Sequence, residues 1–277
     1  MFCQCGATTA LTAERREFFP LADVCAEIDR WLDEGERADV ITFAGSGEPT
    51  LYSRLGELIA YIKSKTNIPV VLLSNGTLLY RADVRAESAR ADVVKISLSA
   101  WDEVSFRRIN APAAEISFAQ FMVGAQAFRR EFTGELRLEV FLMDGVNAAP
   151  AQVEQIAAAA AKLCPNRIQL NTAVRPVADA AARAVDENTL KQFCELFTPR
   201  AEVIASFNSP VSAEQKIRLE ASSTILLELI RRHPSTAAQL ASITGASADG
   251  IEETLAPLVT AGELFITNRN GETYYSA

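Results

Sequence analysis

A chain of 277 residues in which 49% are hydrophobic can bury one large core together with a small second domain. Its formal net charge of −8 argues against a wide surface that grips nucleic acid, because such surfaces need clustered Lys and Arg. No apolar run is long enough to cross a bilayer, so we expect a cytoplasmic protein with no membrane partner.

Apolar runs and helical patterns alternate along the first 208 residues, which is typical of a parallel α/β sheet with crossover helices. The runs predict strands at 40–44, 69–73, 93–98, 136–143, 167–171 and 202–205. The helical patterns lie at 21–34, 51–65, 82–89, 118–131, 151–162 and 187–197. The run at 202–205 is either the sixth strand of the sheet or an extra one. Cys25 and Cys194 fall on predicted helices, where we expect small buried hydrophobic residues rather than ligands.

The character of the chain changes beyond Asn208, where Asn, Ser and Pro give a linker composition. Apolar residues at helical spacing then predict helices at 223–232, 236–244 and 248–261. A β-hairpin follows, with strands at 264–267 and 273–275. Three helices and a hairpin in this order predict a winged helix, so we divide the chain into domains 1–208 and 209–277.

The last predicted helix of this domain would be its recognition helix. It carries Asp249, Glu252 and Glu253 and no Lys or Arg, and acidic residues outnumber basic ones over 210–277. Because phosphate contacts supply most non-specific affinity for DNA, duplex DNA is not an expected partner. We expect this domain to dock a protein or peptide, or to cover the first domain.

The segment Ile41 to Leu51 reads as a buried strand, a Gly-rich turn and the start of a helix. Gly45 and Gly47 would let backbone carbonyls approach a ligand closely, and Pro49 suits a first helical turn. A group rich in N–H donors, such as the ammonium of an amino acid, is the natural partner of such carbonyls. The other interpretation of the segment is an ordinary βα turn.

Three further short motifs accompany this turn, each beside a predicted strand end or the start of the chain. They are Phe2-Cys3, then Ser74-Asn75-Gly76, and then Lys95-Ile96-Ser97-Leu98-Ser99-Ala100. In this order the motifs resemble those of the radical S-adenosylmethionine (SAM) superfamily. Segments 6–12 and 169–176 are similar to its iron–sulfur oxidoreductase branch, which carries a C-terminal winged helix. The resemblance covers nearly the whole chain.

The resemblance implies a partial (β/α)6 TIM-like barrel with its site at the carboxyl ends of the strands. It also implies a 4Fe–4S cluster, SAM and an electron donor, and a 5′-deoxyadenosyl radical that abstracts hydrogen from an unknown substrate, with a protein or peptide among the candidates. Cys3 matches the last cluster cysteine of the CxxxCxxC motif. The implied SAM-binding residues are Phe2, Gly45, Ser46, Gly47, Glu48, Pro49, Asn75 and Ser97. The implied substrate-pocket residues are Ser74, Ser99, Glu139, Asn171 and Arg175.

Simpler interpretations exist for several of these residues. Asn75 and Gly76 suit a turn or a cap. Arg175 suits a surface ion pair. Relatives tend to carry Asp where Ser99 stands, and Arg and His where Ala111 and Ala113 stand. These departures remove charged hydrogen bonds, so the chain acts on a different substrate or has lost catalysis.

Met1 occupies the free position of the cysteine motif just before the aromatic residue. On that alignment the second cluster cysteine would directly precede Met1, and the first barrel strand would precede the cysteines. We therefore expect a chain that starts inside the motif, with about 15 to 30 further residues encoded upstream and in frame.

Two other function classes compete with the radical enzyme. The runner-up is a catalytically inactive, degenerate barrel that binds a partner through its winged helix. A sugar-phosphate barrel enzyme without a cluster would need a Gly-rich phosphate loop near the last strands, and residues 175–178 have no glycine. Iron and sulfide analysis after anaerobic reconstitution separates these classes.

Overall fold

A computed structural model describes residues 11–35, 37–45, 47–174, 183–205, 223–232, 234–244, 246–269 and 272–276. The chain divides into two compact units, Met1–Phe207 and Asn208–Ala277. Among the described residues, no helix combines the length and the apolar character that a membrane span requires.

The first unit contains one sheet of six parallel strands in the order β1-β2-β3-β4-β5-β6. The strands are β1 (Ile41–Phe43), β2 (Val70–Ser74), β3 (Val93–Ser97), β4 (Glu135–Leu142), β5 (Arg167–Thr172) and β6 (Glu202–Val203). The helices are α1 (Leu21–Asp33), α2 (Leu55–Lys65), α3 (Ala82–Ser88), α4 (Glu103–Ile109), α5 (Phe118–Glu131), α6 (Pro150–Ala161) and α7 (Glu187–Phe193). Short 3₁₀ turns lie at Pro49–Leu51 and Cys194–Leu196.

The sequential strand order puts the crossover helices on one face of the sheet, because parallel crossovers are right-handed. Alternate strand residues on that face are fully buried, as Leu72, Ile96 and Leu170 show. They pack in one core with helix residues such as Ile59 and Phe128. The residues between them point to the opposite face, which we call the polar face and define by Lys95, Ser97, Glu135, Arg137, Glu139, Gln169 and Asn171.

The predicted parallel α/β sheet is confirmed, and all six predicted strands pair in it. The predicted helix at 51–65 begins only at Leu55, because Pro49–Leu51 forms a 3₁₀ turn first. Likewise, the helix predicted at 187–197 ends at Phe193 and continues as a 3₁₀ turn. Helix α4 was missing from the prediction. Its capping box, in which Asp102 and Ser105 bond each other's backbone N–H, was a legible signal.

The second unit has a separate small core. Its elements are α8 (Ser223–Arg232), β7 (Ser235–Thr236), α9 (Ala237–Thr244), α10 (Ala248–Thr260), β8 (Phe265–Arg269) and β9 (Glu272–Ser276). The three strands are antiparallel in the order β7-β9-β8. Leu226, Leu240, Ile251 and Leu255 are fully buried between the helices, and Tyr275 of β9 packs on them. The three predicted helices and both hairpin strands are present, while the two-residue strand β7 was not predicted.

Candidate functional site

The side chain of Glu48 joins the loop after β1 to the loop after β2. Its Oε1 accepts hydrogen bonds from Thr50 N at 3.1 Å and Thr50 Oγ1 at 2.7 Å. The same oxygen accepts from Ser74 Oγ at 2.7 Å, and Oε2 accepts from Asn75 N at 2.7 Å. Both carboxylate oxygens are therefore occupied by the protein itself. Glu48 fixes the shape of the Gly-rich loop rather than offering its carboxylate to a ligand.

The glycines of this loop border open space. A side chain built on Gly47 would meet no atom within 4 Å among the described residues, and one on Gly45 would meet only Gly47 N at 3.9 Å. Both residues are exposed at the carboxyl end of β1. The space beside both glycines is thus open among the described residues, in a loop that Glu48 joins to the end of β2.

The turn after β2 is built from local hydrogen bonds. Asn75 Oδ1 accepts from Thr77 N at 2.9 Å and from Thr77 Oγ1 at 2.6 Å. Gly76 has a φ of +73°, and a side chain there would lie 2.5 Å from Ile96 Cγ2. The turn interpretation of Asn75 and Gly76 therefore holds, whatever else Asn75 contacts. Ser74 is 6% exposed and bonds Glu48 and Gly76 N, so it has a structural role and no free surface for substrate.

Three side chains of the polar face form a continuous network across β3, β4 and β5. Lys95 Nζ lies 3.0 Å from Glu139 Oε2, and Asn171 Nδ2 donates to Glu139 Oε1 at 2.9 Å. The side chains of Lys95 and Glu139 are 19% and 23% exposed. Glu139 is the partner of Ser97 in the β3–β4 register. The predicted residues Ser97, Glu139 and Asn171 are thus brought together, and Lys95 joins them.

Ser99 lies two residues beyond Ser97 but in a different environment. It is fully buried, and its Oγ accepts a hydrogen bond from Phe141 N at 3.0 Å. Asn147, also fully buried, donates from Nδ2 to Ser99 O at 2.9 Å. Ser99 therefore connects the segment after β3 to Phe141 of β4 and to Asn147 inside the core. Its predicted place in the substrate pocket does not agree with this burial.

Arg15 is a further anchor of this region. Its side chain is 8% exposed, and Nε donates to Thr50 O at 2.9 Å while Nη2 donates to Tyr52 O at 3.1 Å. Its Nη1 bonds Asp83 at 2.9 Å, and Glu87 accepts a further bond from Nη2. This guanidinium ties the segment after the cysteines to the 3₁₀ turn after Glu48 and to α3. No motif marked Arg15 in the sequence.

Four predicted site residues lie outside the described residues, namely Phe2, Cys3, Ser46 and Arg175. Of the described cysteines, Cys194 is buried and Cys25 partly buried, and desolvation raises the pKa of both thiols. A raised pKa disfavours the thiolate that binds metal. Within the described ranges, no three His, Cys, Asp or Glu side chains are grouped as a metal site would require.

Comparison with known proteins gives a family match. A model described as the radical SAM superfamily matches residues 1–160. The chain is 33% identical over 218 residues to a UPF0026 protein of Helicobacter pylori strain J99, covering 78% of this chain and 69% of that protein. It is 30% identical over 276 residues to a protein named GTPase Obg of Brachyspira hyodysenteriae, covering 100% of this chain and 41% of that protein.

A solved structure shares the fold. A radical SAM methyltransferase from Sphaerobacter thermophilus superimposes with a TM-score of 0.51 at 20% identity, over 70% of this chain and 58% of that one. The chain spans less than two thirds of the length of several relatives that it matches, from 41% to 65%.

Proposed function

The chain belongs to the radical SAM superfamily, and on that premise we propose that it is an enzyme that binds SAM and a 4Fe–4S cluster. When bound, these groups supply a 5′-deoxyadenosyl radical that removes a hydrogen atom from the substrate. The chain's own residues bind and orient SAM, hold the substrate beside it and shape the pocket. An external electron donor is the implied partner.

The observation that carries the proposal is the loop from Gly45 to Pro49. Its glycines border space that is open among the described residues, while Glu48 joins the loop to the end of β2 through two hydrogen bonds and accepts two more from Thr50. The backbone carbonyls of Gly45 and Gly47 would accept from the ammonium of SAM, because an ammonium is a donor that needs several acceptors. These residues therefore fit SAM as a ligand.

Roles at the start of the chain come from the family resemblance. Cys3 would be a cluster thiolate, and Phe2 would pack near the adenine. Cys25 and Cys194 are poor substitutes, because desolvation raises the pKa of both thiols and disfavours the thiolate that binds iron. Cluster binding is accordingly assigned to the cysteine motif at the N-terminal end.

The polar face would be the inner surface of a partial (β/α)6 barrel, formed by residues 1–208. Ser97 and Asn75 would contact SAM at the carboxyl ends of β3 and β2. Glu139 and Asn171 would face the substrate, with Arg175 from the segment after β5. A polar interior surrounded by an apolar, helix-covered outer face is the arrangement that such a barrel needs.

Residues 209–277 would form a winged-helix domain that docks a protein or peptide. The acidic residues of α10, Asp249, Glu252 and Glu253, repel phosphate, so duplex DNA is not its partner.

We attribute no GTP hydrolysis to this chain. It matches only 41% of the protein named as a GTPase, and its sequence contains no Gly-Lys pair of the kind that a phosphate-binding P-loop requires.

Anaerobic reconstitution tests the proposal. A chain that carries all three motif cysteines is incubated with iron and sulfide, reduced and supplied with SAM, and iron, sulfide and 5′-deoxyadenosine are then measured. We expect a bound cluster and reductive release of 5′-deoxyadenosine. A chain that carries all three motif cysteines, takes up no iron and releases no 5′-deoxyadenosine would overturn the proposal in favour of a binding module.

A further inference from the structure

Gln169 of β5 carries an unusual free acceptor on the polar face. The residue is only 9% exposed, and its Nε2 donates to Glu202 Oε1 at 2.9 Å. Because a carboxylate can only accept, this bond fixes the orientation of the side-chain amide. Oε1 of Gln169 is then left buried, and it accepts no hydrogen bond from the part of the chain that the structure describes. A buried acceptor in this position favours a ligand that brings an N–H donor.

Free donors lie two strands away, on β3. Lys95 Nζ donates one of its three N–H groups to Glu139 Oε2, and it has no second acceptor among the described residues. Glu139 links these two groups, because its Oε2 accepts from Lys95 Nζ and its backbone pairs with Gln169 in the β4–β5 register. Lys95 itself pairs with Arg137, two residues before Glu139, and its long side chain covers that offset. Strands two apart in a sheet are separated by about 9.5 Å. A group lying over β4 can therefore accept from Lys95 and donate to Gln169 at once.

The charges of this surface are balanced within the protein. Lys95 pairs with Glu139, Arg137 and Arg167 both pair with Glu135, and the carboxylate of Glu202 acts on Arg137 as a third negative charge. An anionic ligand would compete with Glu139 for Lys95, and a cationic ligand would compete with Lys95 for Glu139. A neutral group that both donates and accepts needs no such exchange. The amide of a peptide is the commonest group of that kind.

We propose that Lys95, Glu139 and Gln169 form the subsite that recognises the substrate, and that they bind it through a neutral peptide amide. The amide N–H donates to Gln169 Oε1, and the amide C=O accepts from Lys95 Nζ. Only the identification of this ligand as the substrate rests on the proposed function. Ser97 is the register partner of Glu139, so the amide lies beside the proposed SAM subsite.

Two small probes of similar size test the amide subsite on the full chain without a cluster. N-acetylglycine N-methylamide is neutral, and N-acetylglycine is an anion at neutral pH. Dissociation constants are measured by saturation-transfer NMR titration. We expect the wild-type chain to bind the neutral amide more tightly than the anion. In Gln169→Met, affinity for the amide should fall about three- to tenfold, which is the value of one neutral hydrogen bond.

Gln126→Met is the matched control, because it removes the same side-chain amide from α5 on the helical side of the sheet. Its affinity for the probe should equal that of the wild type, and thermal melting checks that both variants fold. Unchanged affinity in Gln169→Met, tighter binding of the anion, or no saturable binding of the amide by the wild type would each overturn the proposal. Should Gln169→Met fail to fold, the wild-type comparison of the two probes decides alone. SAM binding and iron uptake are measured in separate assays. A failure of the proposed function is therefore distinguished from a failure of the amide subsite.

Discussion

Two serines near the end of β3 differ in what their hydroxyls do. The hydroxyl of Ser97 makes no hydrogen bond with the described residues, whereas the buried Oγ of Ser99 accepts from Phe141 N. Ser97→Ala should therefore leave the free energy of unfolding within about 0.5 kcal/mol of the wild type. Ser99→Ala should lower it by about 1 kcal/mol or more, because it removes the buried hydrogen bond between Phe141 N and Ser99 Oγ. Urea denaturation measures both values, and equal values would refute the assignment of Ser99 as structural.

Position 76 requires a glycine because of its left-handed backbone conformation and because neighbouring side chains leave no space for a Cβ. Its φ is +73°, and a methyl group would clash with Ile96 Cγ2. Gly35 is the matched control, since its φ is +74° and a methyl group there meets nothing within 4 Å of the described atoms. Gly35→Ala should cost about 1–2 kcal/mol for the left-handed backbone alone. Gly76→Ala should cost about 1–3 kcal/mol more, from overpacking. Equal losses of unfolding free energy in the two variants would show that the contact is absent.

Strand alternation accounts for which site residues could be predicted. Ser97 and Asn171 lie on the polar face, and residues two positions earlier, Lys95 and Gln169, share that face by the same alternation. Both were therefore predictable and were missed. Ser74 shares the face of Leu72, so its burial was predictable too. Ser99 lies beyond the strand, where alternation no longer applies and its contact with Asn147 decides its position.

Among the elements, β1 and β2 were predictable because they are largely apolar, β-branched runs, and β4 and β5 because apolar residues recur at alternate positions. Short helices were harder to predict, because α4 has only seven residues and is held by its capping box rather than by a long apolar stripe. The 3₁₀ turn at Pro49–Leu51 is capped locally by Glu48, whose further contact with Ser74 of β2 is one that no local pattern encodes.

Arg15 should control the order of the segment that follows the cysteines. Arg15→Met removes four hydrogen bonds from a nearly buried guanidinium and leaves Asp83 and Glu87 without that partner. We expect a loss of about 3 kcal/mol of unfolding free energy and faster amide hydrogen exchange over residues 11–19. Arg200→Met is the control, because Arg200 is 69% exposed and, among the described residues, forms an ion pair with Glu195 alone. If exchange in the segment rises no more in Arg15→Met than in Arg200→Met, Arg15 is not its anchor.

For the whole molecule, the acidic balance predicts an absence of DNA binding. The chain carries a formal net charge of −8, and the described part of α10 presents Asp249, Glu252 and Glu253 without a basic residue. Fluorescence anisotropy of a labelled duplex in about 50 mM salt should show no binding of the full chain at micromolar concentration. Submicromolar binding that weakens steeply with salt would contradict the assignment of the second unit to protein or peptide docking.

Equilibrium dialysis of SAM against a reconstituted chain with all three motif cysteines tests whether SAM binds at the Gly-rich loop after β1. Gly47→Val places a side chain in space that is open among the described residues, so it should block the ligand without disturbing the fold. Ala119→Val, at an exposed position of α5, is the control. We expect SAM affinity to fall at least tenfold in Gly47→Val and to equal that of the wild type in Ala119→Val. Both variants should have the melting temperature of the wild type. Unchanged SAM affinity in Gly47→Val would show that SAM does not bind at this loop.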